Sequence, residues 1–167
     1  RLFELSRILS AELLVTGKLA TDLDQAFDQL DAAWSRGQVS ERFGRMVSAL
    51  GGPADLIERP EDHLQAAPLV ADLFPAQPGI VQQIDVRALG LAVIELGGGR
   101  HQASDPIDMR VGLSDLALIG DAVDGERALM RVHARSQDDL DSVTSALRDA
   151  FILGDHERLP PPLTHAL

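Results

Sequence analysis

DVRALGLAVIELGGGR, at residues 85–100, is an apolar run that ends in three consecutive glycines. Aliphatic residues from Ala88 to Leu96 would lie on most sides of a short helix, a pattern typical of a buried helix. Glycine adopts left-handed backbone conformations at little cost, so Gly97–Gly99 are predicted to end that helix in a turn. A phosphate-binding glycine loop lies before a helix N-terminus, whereas these glycines follow the helix. The turn is therefore favoured over a phosphate site.

The segments on both sides of this helix are short, aliphatic and separated by prolines and glycines, which is typical of strands. The predicted strands are Leu69–Phe74, Gly79–Val86, Val111–Leu118 and Ala128–Ala134. Ser136 with Asp139 three residues later resembles a capping box that opens a further helix. The inner face of that helix would hold Leu140, Val143, Leu147 and Phe151. The second half of the chain is therefore predicted to hold helices among about five strands.

The first fifty residues have helical periodicity, with apolar residues at three- and four-residue spacing and glycines between three predicted helices. The second and third helices are predicted to begin at caps formed by Thr21 and Ser40. The predicted fold class is α+β, an N-terminal helical segment followed by a mixed-sheet domain. Its predicted boundaries are 1–66 for the helices, 67–156 for the sheet domain and 157–167 for a proline-rich tail.

Composition and charge exclude several classes of protein. The chain has 167 residues, 45% of them hydrophobic and 25% charged, which is typical of a globular domain. Its net charge of -11 would repel phosphate backbones and anionic lipid headgroups, so neither nucleic acid nor a membrane is a predicted partner. Cysteine is absent, which excludes disulfides and thiolate chemistry and favours a cytoplasmic location. No apolar run approaches the roughly 18 residues of a membrane span.

The polar residues offer little evidence for a metal or a nucleophile. The histidines, which are His63, His101, His133, His156 and His165, lack the spacing of a zinc site. Asp105 and Asp108 flank Pro106 and form either a carboxylate pair or a turn, and the turn is favoured because Asp before Pro commonly begins one. No G-x-S-x-G motif presents a serine nucleophile. Neither a metal nor a cofactor is predicted.

Short blocks of sequence follow one another in a characteristic order. They are FGRMV at 43–47, GGPAD at 51–55, DVRALG at 85–90, LGGGR at 96–100, DPID at 105–108 and VGL at 111–113. Together these blocks resemble the C-terminal part of the thymidine phosphorylases, members of the pyrimidine nucleoside phosphorylase family. The resemblance extends from about Leu5 to about Asp155. It implies that the helices belong to the edge of a large α/β domain and that the rest is the C-terminal α/β-hammerhead-like domain.

The resemblance also implies an activity for the parent enzyme, a pentosyltransferase that converts thymidine and phosphate to thymine and 2-deoxyribose 1-phosphate. Such a parent binds both substrates, needs no cofactor and is expected to be a homodimer. The phosphate loop and the base-binding residues of the family lie upstream of this segment and have no counterparts here. No catalytic residue is therefore assigned, and Lys18, placed on the first helix, is not given that role.

The segment after the glycines lies towards the substrate cleft in the family, so it is a candidate lid. The lid candidates are Arg100, His101, Asp105, Asp108 and Arg110. His101 and Gln102 depart from the basic run that is usual in the family, which leaves Arg100 and Arg110 to carry any electrostatic role. The chain is thus predicted to be a scaffold and a lid, without activity of its own.

Two alternatives stay open on the sequence alone. The chain is either part of a longer phosphorylase or a stand-alone, non-catalytic hammerhead module that binds a partner. The missing initiator methionine and the helical opening favour the first alternative. The parent is either specific for thymidine or a pyrimidine nucleoside phosphorylase of broader base specificity, because the residues that select the base lie upstream.

Overall fold

The computed structural model describes residues 1–162 and separates into two compact units, Arg1–His63 and Leu64–Pro161. Residues 163–167, which include His165 and the end of the predicted tail, lie outside the described residues. The family assignment of segments 1–66, 67–156 and 157–167 stays a prediction. Within the described part of the chain, no helix is both long and apolar enough to cross a membrane.

The first unit consists of helices joined by short turns. The helices are α1 (Leu2–Thr16), α2 (Leu23–Ser35), α3 (Gln38–Ala49) and the single turn α4 (Pro60–His63). Asp22, rather than Thr21, caps α2, because its carboxylate accepts a hydrogen bond from the Gln25 amide at 2.9 Å. The predicted cap at Ser40 is also wrong. Gly37 adopts a left-handed conformation (φ 73°) that lets α3 begin directly after α2, so Ser40 lies inside α3.

The helical unit has a small core and a large exposed apolar surface. Within residues 1–63, the buried hydrophobic residues are Ala11, Ala20 and Ala26. Twelve larger apolar side chains are between 39% and 80% exposed. They are Leu2, Phe3, Leu9, Leu13, Leu19, Leu23, Trp34, Val39, Phe43, Met46, Leu50 and Ile57. A helical unit normally covers such side chains, so this surface lacks the burial that stabilises a folded domain.

The second unit contains two three-stranded antiparallel sheets. Its strands are β1 (Leu69–Leu73), β2 (Gly79–Ile84), β3 (Gly112–Ser114), β4 (Ala122–Val123), β5 (Met130–Ala134) and β6 (Phe151–Gly154). One sheet has the order β1-β5-β3 and the other β4-β2-β6, so successive strands alternate between the sheets. The α+β prediction is confirmed, with every pair of strands antiparallel.

Several sequence-based bounds differ from the structure, and the reasons for two of them are visible in the structure. The strand predicted to extend to Leu118 ends at Ser114, because Asp115 adopts a left-handed conformation (φ 52°) that interrupts it. Phe151, predicted on the inner face of a helix, is instead the first residue of β6. It pairs with Ile84 of β2, and this pairing follows directly after the helix ends at Asp149.

Two helices pack against the sheets and complete the core. Helix α5 (Val86–Val93) begins at Asp85, whose carboxylate accepts a hydrogen bond from the Ala88 amide. Helix α6 (Gln137–Asp149) begins at the predicted Ser136 cap, whose hydroxyl accepts a hydrogen bond from the Asp139 amide. The largest fully buried side chains are Leu96, Leu129, Met130, Leu147, Val81, Val123, Val132 and Val143. The core is therefore aliphatic, as the low aromatic content of the chain requires.

Candidate functional site

Helix α5 ends in a glycine turn that is tightly packed on its own helix. The helix continues as a wider, π-helical turn over Ile94–Gly98. Within that turn Gly97 is left-handed (φ 92°, ψ 7°), and the following residue, Gly99, is extended. A Cβ atom on Gly98 would lie 3.0 Å from Val93 Cγ1, and one on Gly99 would lie 2.6 Å from Ile94 Cγ1. The predicted left-handed turn at the end of the helix is confirmed, whereas the prediction that the helix itself is buried is wrong, because Val86 is 73% and Leu91 51% exposed. Residues 100–111 contain no helix, so the glycines do not precede a helix N-terminus.

The loop that follows the glycines is held at its middle by Asp105. The carboxylate of Asp105 accepts hydrogen bonds from the backbone amides of Gln102 (2.8 Å) and His101 (3.1 Å). The Asp105 amide in turn donates to the Gln102 carbonyl at 3.0 Å. Asp105 therefore closes a turn over residues 101–105, which is the role favoured for an aspartate before proline.

Asp108 attaches the far end of the loop to the glycine turn. Its amide donates to the Gly97 carbonyl at 2.9 Å, and its carboxylate pairs with Arg110 through Nε (2.9 Å) and Nη2 (2.7 Å). The Arg110 side chain and amide together lower the pKa of Asp108 from 3.8 to about 2. Arg110 is thus an ion-pair partner within the loop, and the Asp108 carboxylate balances most of its positive charge.

The other two lid candidates are exposed. Arg100 forms no ion pair with any residue in the range 1–162. His101 lies with its Nε2 3.4 Å from Oε1 of Glu95. The Asp105 carboxylate accepts hydrogen bonds from backbone amides, whereas the Asp108 carboxylate pairs with Arg110. No group of three or more potential metal ligands occurs within the described range. The structure thus places the five residues on one loop but does not bring them together as a binding site.

Arg135 is a member of this region that the sequence analysis missed. It lies between β5 and the Ser136 cap of α6, and its Nε and Nη2 pair with the carboxylate of Asp139 at 3.0 and 3.3 Å. A Cβ atom on Gly97 would lie 3.3 Å from the Arg135 Cζ and Nη1 and 3.5 Å from Nη2. These nearly equal distances place the flat face of the guanidinium over the space that a side chain at Gly97 would occupy. The contact joins residues far apart in sequence, so no local pattern predicts it.

The Asp108–Arg110 pair makes a pH-dependent contribution to the loop. Because the folded-state pKa of Asp108 is depressed, the pair stabilises the loop at and above about pH 4, and that contribution is lost as the pH falls towards about 2. A carboxyl carbon NMR titration is expected to give a midpoint near 2 for Asp108, and Arg110→Gln is expected to raise it towards 3.8. A midpoint at 3.8 with Arg110 in place would contradict this geometry.

A comparison with known protein families identifies a domain within the second unit. Residues 80–153, which include α5, the glycine turn, the loop and α6, match the model of the pyrimidine nucleoside phosphorylase C-terminal domain. This part of the chain is a domain of that class.

The similar proteins extend the comparison over nearly the whole chain. It is 48% identical over 163 residues to the thymidine phosphorylase of Burkholderia cenocepacia, which covers 98% of this chain and 37% of that protein. The corresponding enzyme of Burkholderia orbicola is 47% identical and that of Burkholderia lata 46% identical, with the same coverage. The chain therefore spans 37% of the length of these relatives. Over nearly its whole length, the chain is therefore similar to the C-terminal region of thymidine phosphorylases, which agrees with the resemblance that the sequence blocks indicated.

Proposed function

We propose that this chain is the scaffold and the active-site lid of an enzyme that converts thymidine and phosphate to thymine and 2-deoxyribose 1-phosphate. The observation that carries the proposal is the 48% identity to a thymidine phosphorylase over 98% of the chain. The proposed parent is a cytoplasmic homodimer with no cofactor. Its base specificity is for thymidine, with a broader pyrimidine specificity as the alternative.

The proposed reaction explains why a cationic lid is useful. A phosphate oxygen forms a bond to the anomeric carbon while the bond from that carbon to the thymine nitrogen breaks, and the base leaves with the electron pair. Negative charge is thus present on the phosphate and develops on the base, while the sugar becomes cationic. Fixed cations and hydrogen-bond donors stabilise both anionic groups, and closure over them excludes water.

The loop at 100–110 has the features that such a lid requires. Its two ends converge on the glycine turn, because Arg100 follows Gly99 and Asp108 binds the Gly97 carbonyl. Between these ends, the loop is held by the Asp105 turn, in which the His101 and Gln102 amides donate hydrogen bonds to the Asp105 carboxylate. Arg110 is balanced by Asp108, whereas Arg100 is unpaired among residues 1–162 and is the cation of the loop that is available for a substrate.

The exposed apolar surface of the helical unit supports the scaffold part of the proposal. Covering a large apolar side chain contributes about 1.5–3 kcal/mol, so twelve uncovered side chains represent a large loss for a separate module. The relatives are longer than this chain, and the proposal is that the part of them that it does not span covers these helices. A stand-alone binding module is therefore the less favoured function.

A chimeric enzyme tests the proposal. The 163 matched residues of the Burkholderia cenocepacia enzyme would be replaced by this chain, and phosphorolysis of thymidine and of uridine would be measured. We expect activity on thymidine within about tenfold of the parent, because the catalytic groups are upstream. A folded chimera with activity lowered more than about a hundredfold would refute the proposal.

The lid itself is tested by Arg100→Ala in the same chimera. Removing a fixed donor from a closed site costs about 10²–10³ in rate, and we expect a decrease of about tenfold in kcat/KM because Arg100 lies on an exposed loop. Arg87→Ala is the matched control, since Arg87 is an exposed arginine on α5, before the glycine turn. Equal effects of the two substitutions would contradict a lid role for Arg100.

A further inference from the structure

We infer that Arg135 is a positioning residue that fixes the loop at 100–110 by holding the Gly97 turn beneath its guanidinium plane. Arg135 belongs to the β5–α6 junction, whereas Gly97 belongs to the end of α5. The contact therefore connects the start of the loop to a separate part of the core. The inference concerns the loop of the proposed lid, but the anchoring is measurable without any substrate.

The position of the Arg135 side chain is fixed from both sides. Asp139 on the first turn of α6 accepts two hydrogen bonds from the guanidinium, and α6 is itself buried through Leu140, Val143 and Leu147. The guanidinium thus has a rigid support rather than a mobile partner. A planar group held in this way covers an area of backbone that a single ammonium group cannot cover.

Gly97 transmits this contact to the loop. Its left-handed conformation and its missing side chain leave room for the guanidinium, which would lie only 3.3 Å from a Cβ atom at this position. The carbonyl of the same residue accepts the Asp108 amide hydrogen bond. The positive charge of Arg135 also attracts the Asp108 carboxylate. Arg135 therefore acts on Asp108 both through Gly97 and through charge.

The chemical consequence is a loop with one fixed end and one adjustable segment. Asp108 and Arg110 stay with the glycine turn, while the hydrogen bonds of the Asp105 turn lie within residues 101–105. A closure of this segment would then bring Arg100 to the same place each time, which is the property that a substrate-contacting cation requires. Arg135 does not contact the substrate in this arrangement.

Amide hydrogen exchange of Asp108 in the 167-residue chain tests the inference. The Leu129 amide, which donates to the Leu73 carbonyl at 2.8 Å in the core, is the internal reference. We expect Arg135→Ala to accelerate exchange at Asp108 at least about tenfold relative to Leu129, because the local anchor opens without unfolding the core. Arg131→Ala is the matched control. It removes an exposed arginine of β5 that pairs with Asp72 and Asp115, and it is expected to leave the ratio of the two rates within about twofold.

Two further measurements separate anchoring from general stability. Added guanidinium ion at low millimolar concentration is expected to restore the protection of Asp108 in Arg135→Ala, since it refills the space above Gly97. Arg135→Lys is expected to remain unprotected, because an ammonium group keeps the charge but not the plane. Equal acceleration at Asp108 and Leu129 would show a merely structural role and overturn the inference. An unchanged exchange rate at Asp108 would also overturn it, and neither result would bear on whether the loop acts as a lid.

Discussion

The purified 167-residue chain, incubated with thymidine and phosphate, is expected to release no thymine above the uncatalysed rate. Phosphorolysis requires several fixed cations and donors in one cleft, acting together on the phosphate and on the departing base. A partial set loses most of the stabilisation of the transition state, because groups that act as a unit are strongly non-additive. The expected loss relative to a full-length enzyme is therefore the largest effect proposed for this protein.

The described residues offer few groups for such a set. Lys18, the one lysine of the sequence, is exposed in the turn after α1, where it is left-handed (φ 58°), and not on the helix as predicted. The helix ends at Thr16, and the chain reverses direction through Gly17 and Lys18 towards α2. Several arginines are already paired with aspartates. These are Arg7, Arg59, Arg110, Arg127, Arg131 and Arg135.

The measurement follows thymine release with the Burkholderia cenocepacia enzyme as the positive control under the same conditions. Turnover by the chain within about a hundredfold of that control would contradict the argument, because it would require a complete catalytic set in this segment. A chain that is folded by circular dichroism yet inactive is the expected result. Phosphate binding by equilibrium dialysis gives a second test, and no saturable binding is expected.

The second large effect is expected for Leu96→Ala. Leu96 is 0% exposed and lies directly before the glycine turn, within the core formed by the two sheets and helices α5 and α6. Removing its side chain leaves a cavity that the surrounding strands fill only in part. We expect the free energy of unfolding of the second unit to fall by about 2–5 kcal/mol, a large part of the stability of a small domain.

Leu91→Ala provides the matched control, since Leu91 lies on α5 and is 51% exposed. Its substitution is expected to cost about 1 kcal/mol or less. Unfolding in urea should be followed by amide NMR signals of residues 64–161, because Trp34, the only tryptophan, reports on the helical unit. Equal losses for Leu96→Ala and Leu91→Ala would show that the glycine turn does not close a packed core.

The elements that the sequence predicted well are those with local determinants. Ser136 and Asp139 form a cap within one turn of chain, and Gly97 supplies a left-handed residue at the end of an apolar helix. Asp105 likewise closes its turn on residues three and four positions away. Each of these interactions is complete within a few residues, so residue type and spacing are enough to predict it.

Several features that the sequence did not predict depend on distant partners. Phe151 continues the apolar spacing of α6, and only its pairing with Ile84 makes it a strand residue. The short strand β4 exists because it pairs with β2, which lies much earlier in the chain. In the loop, the carboxylates of Asp105 and Asp108 were recognisable, whereas the contact of Arg135 with Gly97 requires α5 and β5 to be packed first. Tertiary contacts of this kind are invisible to local patterns.

The alternation of strands between the two sheets has a consequence for folding. β1 pairs with β5, β3 pairs with β5, and β2 pairs with β4 and β6, so no described strand pairs with its neighbour in sequence. Every pairing must therefore close a long loop, which slows folding. During synthesis, the sheet that contains β6 stays incomplete until Phe151–Gly154 have left the ribosome. The nascent second unit is thus exposed to aggregation until nearly all of its residues have been made.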